Sequence, residues 1–258
     1  MMSMSMVEVE KSLKTLKLYG MLTSLEGRVL QVNQGSMNFI EGFGGLVQDE
    51  LDFKNTRKFE RSFNLSGLPE RVTLTDFDWE FNPKVPKKSC FELMALKFIR
   101  QGDNAVLLGH PGTGKSHIAK SVAYVAIQTG FKVVYREAHL LFDQVFEATQ
   151  FGNRKKLLKQ FSEAELLVID DLFLRKKIRP DGTDDFQEIV MNRYGARKST
   201  LITSNRILDD WGICLGDNAV ATAIIDRLLH HCNLLKFEGK SYRLKEAASV
   251  LAKNGKER

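Results

Sequence analysis

Apolar residues near the start of the chain recur at the spacing of an α-helix. Leu18, Leu22, Leu25 and Val29 are separated by four and three residues, which places their side chains on one helical face. The lysines of a neighbouring stripe are Lys11, Lys14 and Lys17. We therefore expect one amphipathic helix to open the chain, with an apolar stripe that either packs internally or docks a partner.

A second helical pattern runs from about residue 39 to residue 63 and stops where glycine and proline follow. The two predicted helices form a small helical N-terminal domain, residues 1–68. The next stretch, residues 69–88, contains Pro83 and Pro86, and the residue before a proline favours extended backbone. We predict that this stretch is an extended linker that wraps onto the following domain.

Beyond the linker, short apolar runs alternate with helical stretches. The runs are Ala105–Leu108, Lys132–Tyr135, Leu166–Ile169, Thr200–Thr203 and Asn233–Phe237. This alternation is typical of βα units, in which helices cover both faces of a parallel sheet. We predict an α/β nucleotide-binding domain over residues 89–258.

The segment after the first apolar run fits the pattern G-x-x-x-x-G-K-[ST] and precedes a helical stretch. Glycines let the backbone curl so that its N–H groups cradle phosphate oxygens, and the following helix presents its positive end to the same charge. We expect Lys115 to reach the β- and γ-phosphates of ATP and Ser116 to hold magnesium. The predicted nucleotide contacts are Gly109, His110, Pro111, Gly112, Thr113, Gly114, Lys115, Ser116 and His117.

Two carboxylates follow the third apolar run, at the end of a strand where ligands of open α/β sheets bind. We expect Asp170 to hold magnesium through water, together with Ser116, and Asp171 to orient the attacking water. Without a P-loop, two such acids would more often cap a helix. Asn205, after the fourth run, is expected to hold that water or the γ-phosphate; on local grounds, an asparagine at a turn explains the residue equally well.

The formal net charge is +6, and its basic surplus lies after residue 70. Residues 1–70 hold 8 lysines and arginines against 9 acids, whereas residues 71–258 hold 30 against 23. Such a surplus suits a polyanionic partner, although a solvated surface richer in lysine would give the same count. Candidate DNA contacts, with solvated faces as the alternative, are the clusters Arg154, Lys155, Lys156 and Lys159, and Arg175, Lys176, Lys177 and Arg179.

Cys90, Cys214 and Cys232 are scattered without C-x-x-C spacing, which indicates neither a zinc site nor a disulfide framework. No stretch approaches the ~18 apolar residues of a membrane span. We expect a protein of the reduced cytoplasm with no membrane partner.

Two segments near the end of the chain complete an ordered set of motifs. They are Asp226-Arg227-Leu228-Leu229-His230-His231 and Ser241-Tyr242-Arg243-Leu244-Lys245. Together with the P-loop, the paired acids and the strand that ends before Asn205, they resemble the IstB-type transposition helper ATPases. These are bacterial AAA+ proteins related to the DnaC-type helicase loaders, and the resemblance covers roughly residues 85–250.

The resemblance implies a role for each catalytic candidate. Those roles are Walker A for Lys115 and Ser116, Walker B for Asp170 and Asp171, sensor 1 for Asn205, arginine finger for Arg227 and sensor 2 for Arg243. An arginine suits the last two tasks because its planar fork meets phosphate oxygens in pairs, although a surface salt bridge is the commoner use of such a residue.

The resemblance also implies an activity and partners. The expected cofactors are ATP and magnesium, and the expected partners are duplex DNA and a transposase that the protein recruits and stimulates. Because Arg227 would enter a neighbouring subunit's site, we expect head-to-tail homo-oligomers, as a ring or a helical filament.

The chain departs from the broader AAA+ pattern in two places. Asp171 replaces the usual glutamate and is one methylene shorter, so turnover is expected to be slow. Only fifteen residues follow Arg243, so we expect no full C-terminal lid. Three alternatives stay open: a DnaC-type helicase loader, a P-loop kinase of a small molecule, and a nucleotide-dependent adaptor that does not hydrolyse ATP.

Overall fold

The computed structural model describes residues 4–174 and 180–254. Contacts divide the chain into two compact units, Met1–Arg61 and Ser62–Arg258. The first unit contains the helices α1 (Met6–Thr15) and α2 (Tyr19–Asn33) and most of α3 (Phe39–Ser66), which continues into the second unit. No helix in the described ranges is long and apolar enough to cross a membrane.

The first amphipathic helix predicted from the sequence is in fact two helices. Lys17 adopts a left-handed backbone conformation with a φ of 58°. The Leu18 N–H donates to the Leu13 carbonyl at 2.9 Å, which is the hydrogen bond of a Schellman-type helix end. The prediction was wrong because glycine usually occupies this left-handed position, and here a lysine does.

A buried acid on α3 caps the start of α2. The Glu50 carboxylate accepts hydrogen bonds from the backbone N–H groups of Gly20 at 2.6 Å and Met21 at 3.2 Å. The approach is so close that a Cβ on Gly20 would lie 2.5 Å from the Asp49 carbonyl oxygen. The first N–H groups of a helix lack partners within the helix, so this carboxylate stabilises the pairing of α2 with α3.

The second unit is built around five parallel strands. They are β1 (Asn104–Gly109), β2 (Val133–Glu137), β3 (Leu166–Leu172), β4 (Ser199–Ser204) and β5 (Cys232–Phe237). Their order in the sheet is β2-β3-β4-β1-β5, and all four pairings are parallel. Each apolar run predicted as a strand overlaps one of them, although Lys132 precedes β2, and the α/β fold with a parallel sheet flanked by helices is confirmed.

The helices of this unit connect and flank the strands. They are α4 (Lys87–Met94), α5 (Lys97–Gln101), α6 (Lys115–Gln128), α7 (Ala138–Gln150), α8 (Arg154–Glu163), α9 (Pro180–Gly195), α10 (Trp211–Leu215), α11 (Asn218–Leu229) and α12 (Tyr242–Asn254). A continuous core of buried side chains joins β1, β3 and β4 to α7–α11, with Leu141, Phe186, Trp211 and Ile224 among its members. The core therefore fixes the strand ends that carry the predicted site.

The predicted linker has little regular structure before α4 begins at Lys87. One 3-10 turn spans Leu74–Asp76, and Val72, Leu74 and Val85 are buried. Because these side chains are buried, the stretch packs onto the second unit, as predicted for a linker that wraps onto the following domain.

A fully buried arginine fastens the ends of three elements. The Arg193 guanidinium on α9 donates to the Phe161 and Ala164 carbonyls near the end of α8, to the Ser199 carbonyl and to the Thr200 hydroxyl. Five N–H donors in a planar fork allow one side chain to satisfy all four acceptors. Arg193 thus replaces backbone pairing that the ends of α8 and β4 cannot make themselves.

We expect the replacement Arg193→Met to lower the free energy of unfolding by about 3 kcal/mol, because three buried carbonyls lose their donor. Urea denaturation at unchanged m-value measures this loss. The control is Arg100→Met on the exposed face of α5, with an expected change within about 0.5 kcal/mol. Equal stability of Arg193→Met and the unmodified protein would show that apolar packing offsets the lost hydrogen bonds.

Candidate functional site

The glycine-rich loop between β1 and α6 is enclosed by two other chain segments. Gly114 has a φ of 101°, and a Cβ there would lie 2.3 Å from Cε2 of Phe77 in the linker. Gly112 has a φ of 75°, and a Cβ there would lie 2.1 Å from the Ser241 Oγ. Both positions need glycine for the left-handed conformation and for the close approach. The loop backbone is thereby held between the linker and the segment before α12.

Lys115 is buried and directed back at the loop. Its Nζ donates to the carbonyl oxygens of Gly109 and His110, each at 2.8 Å. Burial lowers the pKa of Lys115 to about 8, and the charges of Asp171 and Asp170 oppose this shift. The ammonium is therefore held by neutral carbonyls and by nearby acids at the position where an anion would bind.

The two acids lie at the carboxyl end of β3, beside the loop. Asp170 is buried and accepts a hydrogen bond from the Tyr135 hydroxyl at 2.6 Å and another from the Thr203 hydroxyl. Asp171 has a left-handed φ of 54°. Burial, followed by the charge of Asp170, raises the pKa of the Asp171 carboxyl, while Lys115 opposes the rise. Asp170 is thus fixed by hydroxyl groups, whereas Asp171 faces a pocket.

That pocket brings together most of the residues predicted from the motifs. Its lining includes residues 111–117, which span the loop and the start of α6, together with Asp171, Asn205 and Arg243. The Asn205 Oδ1 atom is buried and has no hydrogen-bond partner within the described residues. Buried polar atoms are normally paired, so this oxygen is available to a ligand or a water molecule.

The linker supplies a part of the pocket that was not predicted from the sequence. Phe77 and Phe81 line it together with Tyr242 of α12, and Asp76, Asp78 and Asn82 add polar groups to the same wall. The signal in the sequence was the density of aromatic and acidic residues in a segment that was predicted to wrap onto the domain but was given no part in the site. Sequence alone gave no reason to place this segment against the loop.

A set of paired contacts, here called the clasp, joins residues 76–82 to residues 239–245. Asn82 Nδ2 donates to the Lys240 carbonyl and Asn82 Oδ1 accepts from the Lys240 N–H, both at 2.9 Å. Lys245 pairs with Asp78 at 2.9 Å. The Tyr242 N–H donates to the Gly112 carbonyl at 2.9 Å. The clasp therefore positions the start of α12, and with it Arg243, against the loop.

Thr113 stabilises the loop from within, and His117 joins the start of α6 to the linker. The His117 Nε2 atom lies 2.9 Å from the Thr73 carbonyl oxygen, and its ring packs edge to face against Phe77, with centroids 5.4 Å apart. The Thr113 hydroxyl donates to the His110 carbonyl at 2.8 Å. The two His117 contacts therefore attach the linker to the start of α6.

Arg227 lies in a different cleft. Its neighbours there include Asn104 at the start of β1, Tyr194 and His230, and its guanidinium donates to the Ala223 carbonyl at 2.9 Å. Asn104 begins β1, whereas the glycine-rich loop follows the other end of that strand. Arg227 and the pocket are therefore at opposite ends of the same sheet.

The structure gives Arg154 a contact that the sequence analysis did not anticipate. Its guanidinium pairs with Asp185 and Glu188 of α9, each at 2.6 Å. Arg154 joins α8 to α9 and is not the free surface cation assumed for a DNA contact. Lys155 and Lys156 are exposed, whereas Lys159 lies 3.5 Å from Glu163. The second predicted cluster, residues 175–179, lies outside the described residues.

Comparison with known proteins assigns the family. The model of the IstB-like ATP binding protein family matches residues 11–250. The chain belongs to this family. An insertion sequence IS21 ATP-binding protein of Pseudomonas aeruginosa is 34% identical over 251 residues, which cover 96% of this chain and 94% of the relative. An insertion sequence IS5376 ATP-binding protein of Geobacillus stearothermophilus is 35% identical over 211 residues, 82% of this chain and 83% of the relative.

Among solved structures, the DnaC helicase loader matches the fold of this IstB-like chain. The TM-score is 0.51 at 20% identity, and the match covers 69% of this chain and 99% of the loader. At that identity the similarity concerns the fold alone. It agrees with the expected α/β fold, in which helices flank a parallel sheet. The resemblance to IstB-type proteins is confirmed by the family match.

Proposed function

We propose that this chain binds ATP with magnesium and hydrolyses it while assembled on duplex DNA, where it recruits and stimulates a partner transposase. The observation that carries the proposal is the convergence of the glycine-rich loop, Lys115, Asp171, Asn205 and Arg243 on one pocket. Family membership supports the nucleotide, and the insertion-sequence names of the two relatives support the transposition context.

Each group in the pocket has a chemical task in this proposal. The loop N–H groups and the N-terminus of α6 hold the phosphates. Lys115 exchanges its two carbonyl partners for phosphate oxygens. Asn205 Oδ1 accepts a hydrogen bond from the attacking water, and Asp171 orients that water. Arg243, placed by the clasp, balances charge on the terminal phosphate.

The residues present fit magnesium. Magnesium typically takes only one or two protein oxygens, with phosphates and water as its other ligands. It therefore does not need a group of three or more His, Cys, Asp or Glu side chains, and the described residues contain none arranged to hold a metal. Ser116 would supply a hydroxyl and Asp170 would hold a coordinated water. The ion would neutralise charge that develops on the phosphates.

The aromatic wall suits a purine base. Phe77, Phe81 and Tyr242 line the pocket beside the loop, and flat apolar surfaces bind a base through its ring faces. We assign adenine to this wall, which makes the linker part of the nucleotide site.

The position of Arg227 favours a site shared between subunits. One chain holds its acids and its Arg227 at opposite ends of the sheet, so Arg227 would reach a nucleotide only in a second copy. Such a head-to-tail contact generates a ring or a helical filament.

Lys155 and Lys156 remain candidate DNA contacts, together with Arg175, Lys176, Lys177 and Arg179. The higher identity to insertion-sequence proteins than to DnaC favours transposition over helicase loading.

We expect ATP affinity to fall as the pH rises above about 8, by up to tenfold per pH unit. The pKa of Lys115 is lowered to about 8, and bound phosphate favours the charged ammonium. Above about pH 8 the Lys115 side chain of the unbound protein is largely neutral, so ATP binding must be accompanied by uptake of a proton. Below about pH 8 the side chain is already charged and adds no pH dependence. Calorimetry in buffers of different ionisation enthalpy measures the uptake. Affinity that is constant from about pH 7.5 to 9.5 would contradict the assignment.

We expect duplex DNA and ATP together to convert the protein into oligomers and to stimulate hydrolysis. Sedimentation velocity with ATP, with duplex DNA and with both measures assembly, and phosphate release measures turnover. Lys115→Ala is the control and should neither bind ATP nor assemble. If the protein stays monomeric with both ATP and duplex DNA, the proposal is contradicted. Preference for single-stranded DNA would support the helicase loader, and absent hydrolysis with retained assembly would support the adaptor.

The replacement Arg227→Ala should retain ATP affinity and lose hydrolysis in the assembly. Activity should return on mixing with Asp171→Asn protein, because a mixed contact joins an intact Asp171 from one copy to an intact Arg227 from the other. Steady-state hydrolysis across a titration of the two variants measures the return. Absence of any rescue at all mixing ratios would argue against a shared site.

A further inference from the structure

The pairing of β3 with β4 is interrupted where the two acids lie. Ile169 pairs with Ile202, and the next pairing joins Leu172 to Ser204. Asp170 and Asp171 therefore stand opposite the single residue Thr203, which is the arrangement of a β-bulge. A bulge leaves one residue without its ladder hydrogen bonds, so the backbone of Asp171 needs another partner.

The side chain of Thr203 supplies that partner. Its hydroxyl oxygen accepts a hydrogen bond from the Asp171 N–H at 2.8 Å, and the same hydroxyl donates to Asp170 Oδ1. The other carboxylate oxygen of Asp170, Oδ2, accepts from the Tyr135 hydroxyl on β2 at 2.6 Å. Tyr135, Asp170 and Thr203 are all buried, so these contacts hold the Asp170 carboxylate in one orientation.

We propose that Thr203 and Tyr135 are positioning residues for magnesium binding, and that Thr203 also ties Asp170 to the backbone of Asp171. The inference rests on the proposed function, because it concerns how the chain presents Asp170 to the metal. Groups that orient a metal-binding carboxylate affect metal affinity through that orientation. Two residues after Thr203, the same segment reaches Asn205, so one hydroxyl connects the acids to the strand that carries the water-binding amide.

A role in packing predicts a different response from a role in positioning. Thr203→Val keeps the branched shape and removes the hydroxyl, whereas Thr203→Ser keeps the hydroxyl and removes a methyl group. If packing were the only role, valine would be tolerated and serine would be the more damaging change. If the hydroxyl positions Asp170, the order is reversed.

The experiment measures the affinity of a fluorescent ADP analogue with magnesium and with EDTA, and takes the ratio as the magnesium gain. We expect Thr203→Val to lower the gain about tenfold or more, and Thr203→Ser to keep it within about threefold of the unmodified protein. Tyr135→Phe removes only the second hydroxyl and should lower the gain by several-fold, which provides a test should Thr203→Val fail to fold.

The matched control is Thr200→Val on the same strand. The Thr200 hydroxyl accepts from Arg193 at 3.0 Å and does not take part in the contacts with the acids. This variant should lose thermal stability and keep the full magnesium gain. An unchanged gain in both Thr203→Val and Tyr135→Phe, or an equal loss in Thr203→Ser and Thr203→Val, would overturn the inference. Failure of the unmodified protein to bind nucleotide would instead overturn the proposed function.

Discussion

Close backbone approach at the glycine-rich loop is the constraint on which the site depends. Side chains of two distant segments, Phe77 and Ser241, occupy the space that a Cβ would need at Gly114 and Gly112. The loop therefore forms one layer of a stack whose other layers belong to the linker and to the start of α12. Since the aromatic wall and Arg243 belong to those outer layers, their placement follows from the same contact, and a larger residue in the loop would displace all of them together.

The charge of Lys115 is stabilised by neutral carbonyl groups as well as by the nearby acids. Lys115 is held by two carbonyl groups while the acids at the end of β3 lower the cost of burying its charge. Asp171 has its pKa raised by burial and by Asp170, so the two acids repel each other and attract the lysine. A magnesium nucleotide carries both signs of charge. Its cation would reduce the repulsion between the two acids, and its phosphates would pair with the lysine.

Much of this fold was predictable because hydrophobic runs and the P-loop are local signals. The five runs became the five strands, and the motif lies between β1 and α6 as expected. The rest depends on contacts between residues far apart in the chain. The break at Lys17 lacks the usual glycine, the ion pairs of Arg154 involve acids on another helix, and the role of Phe77 requires the linker to fold over the loop. None of these has a periodic signature in the sequence.

The bulge in β3 affects how far the short side chain of Asp171 reaches into the pocket. In a regular strand, successive side chains point to opposite faces, so adjacent acids would not both approach one cation. The left-handed φ of 54° at Asp171 breaks that alternation, and both acids affect the pKa of Lys115. Thr203 holds the bulge through the Asp171 N–H. The backbone thus turns Asp171 into the pocket, so the reach of this residue depends on the bulge as well as on side-chain length.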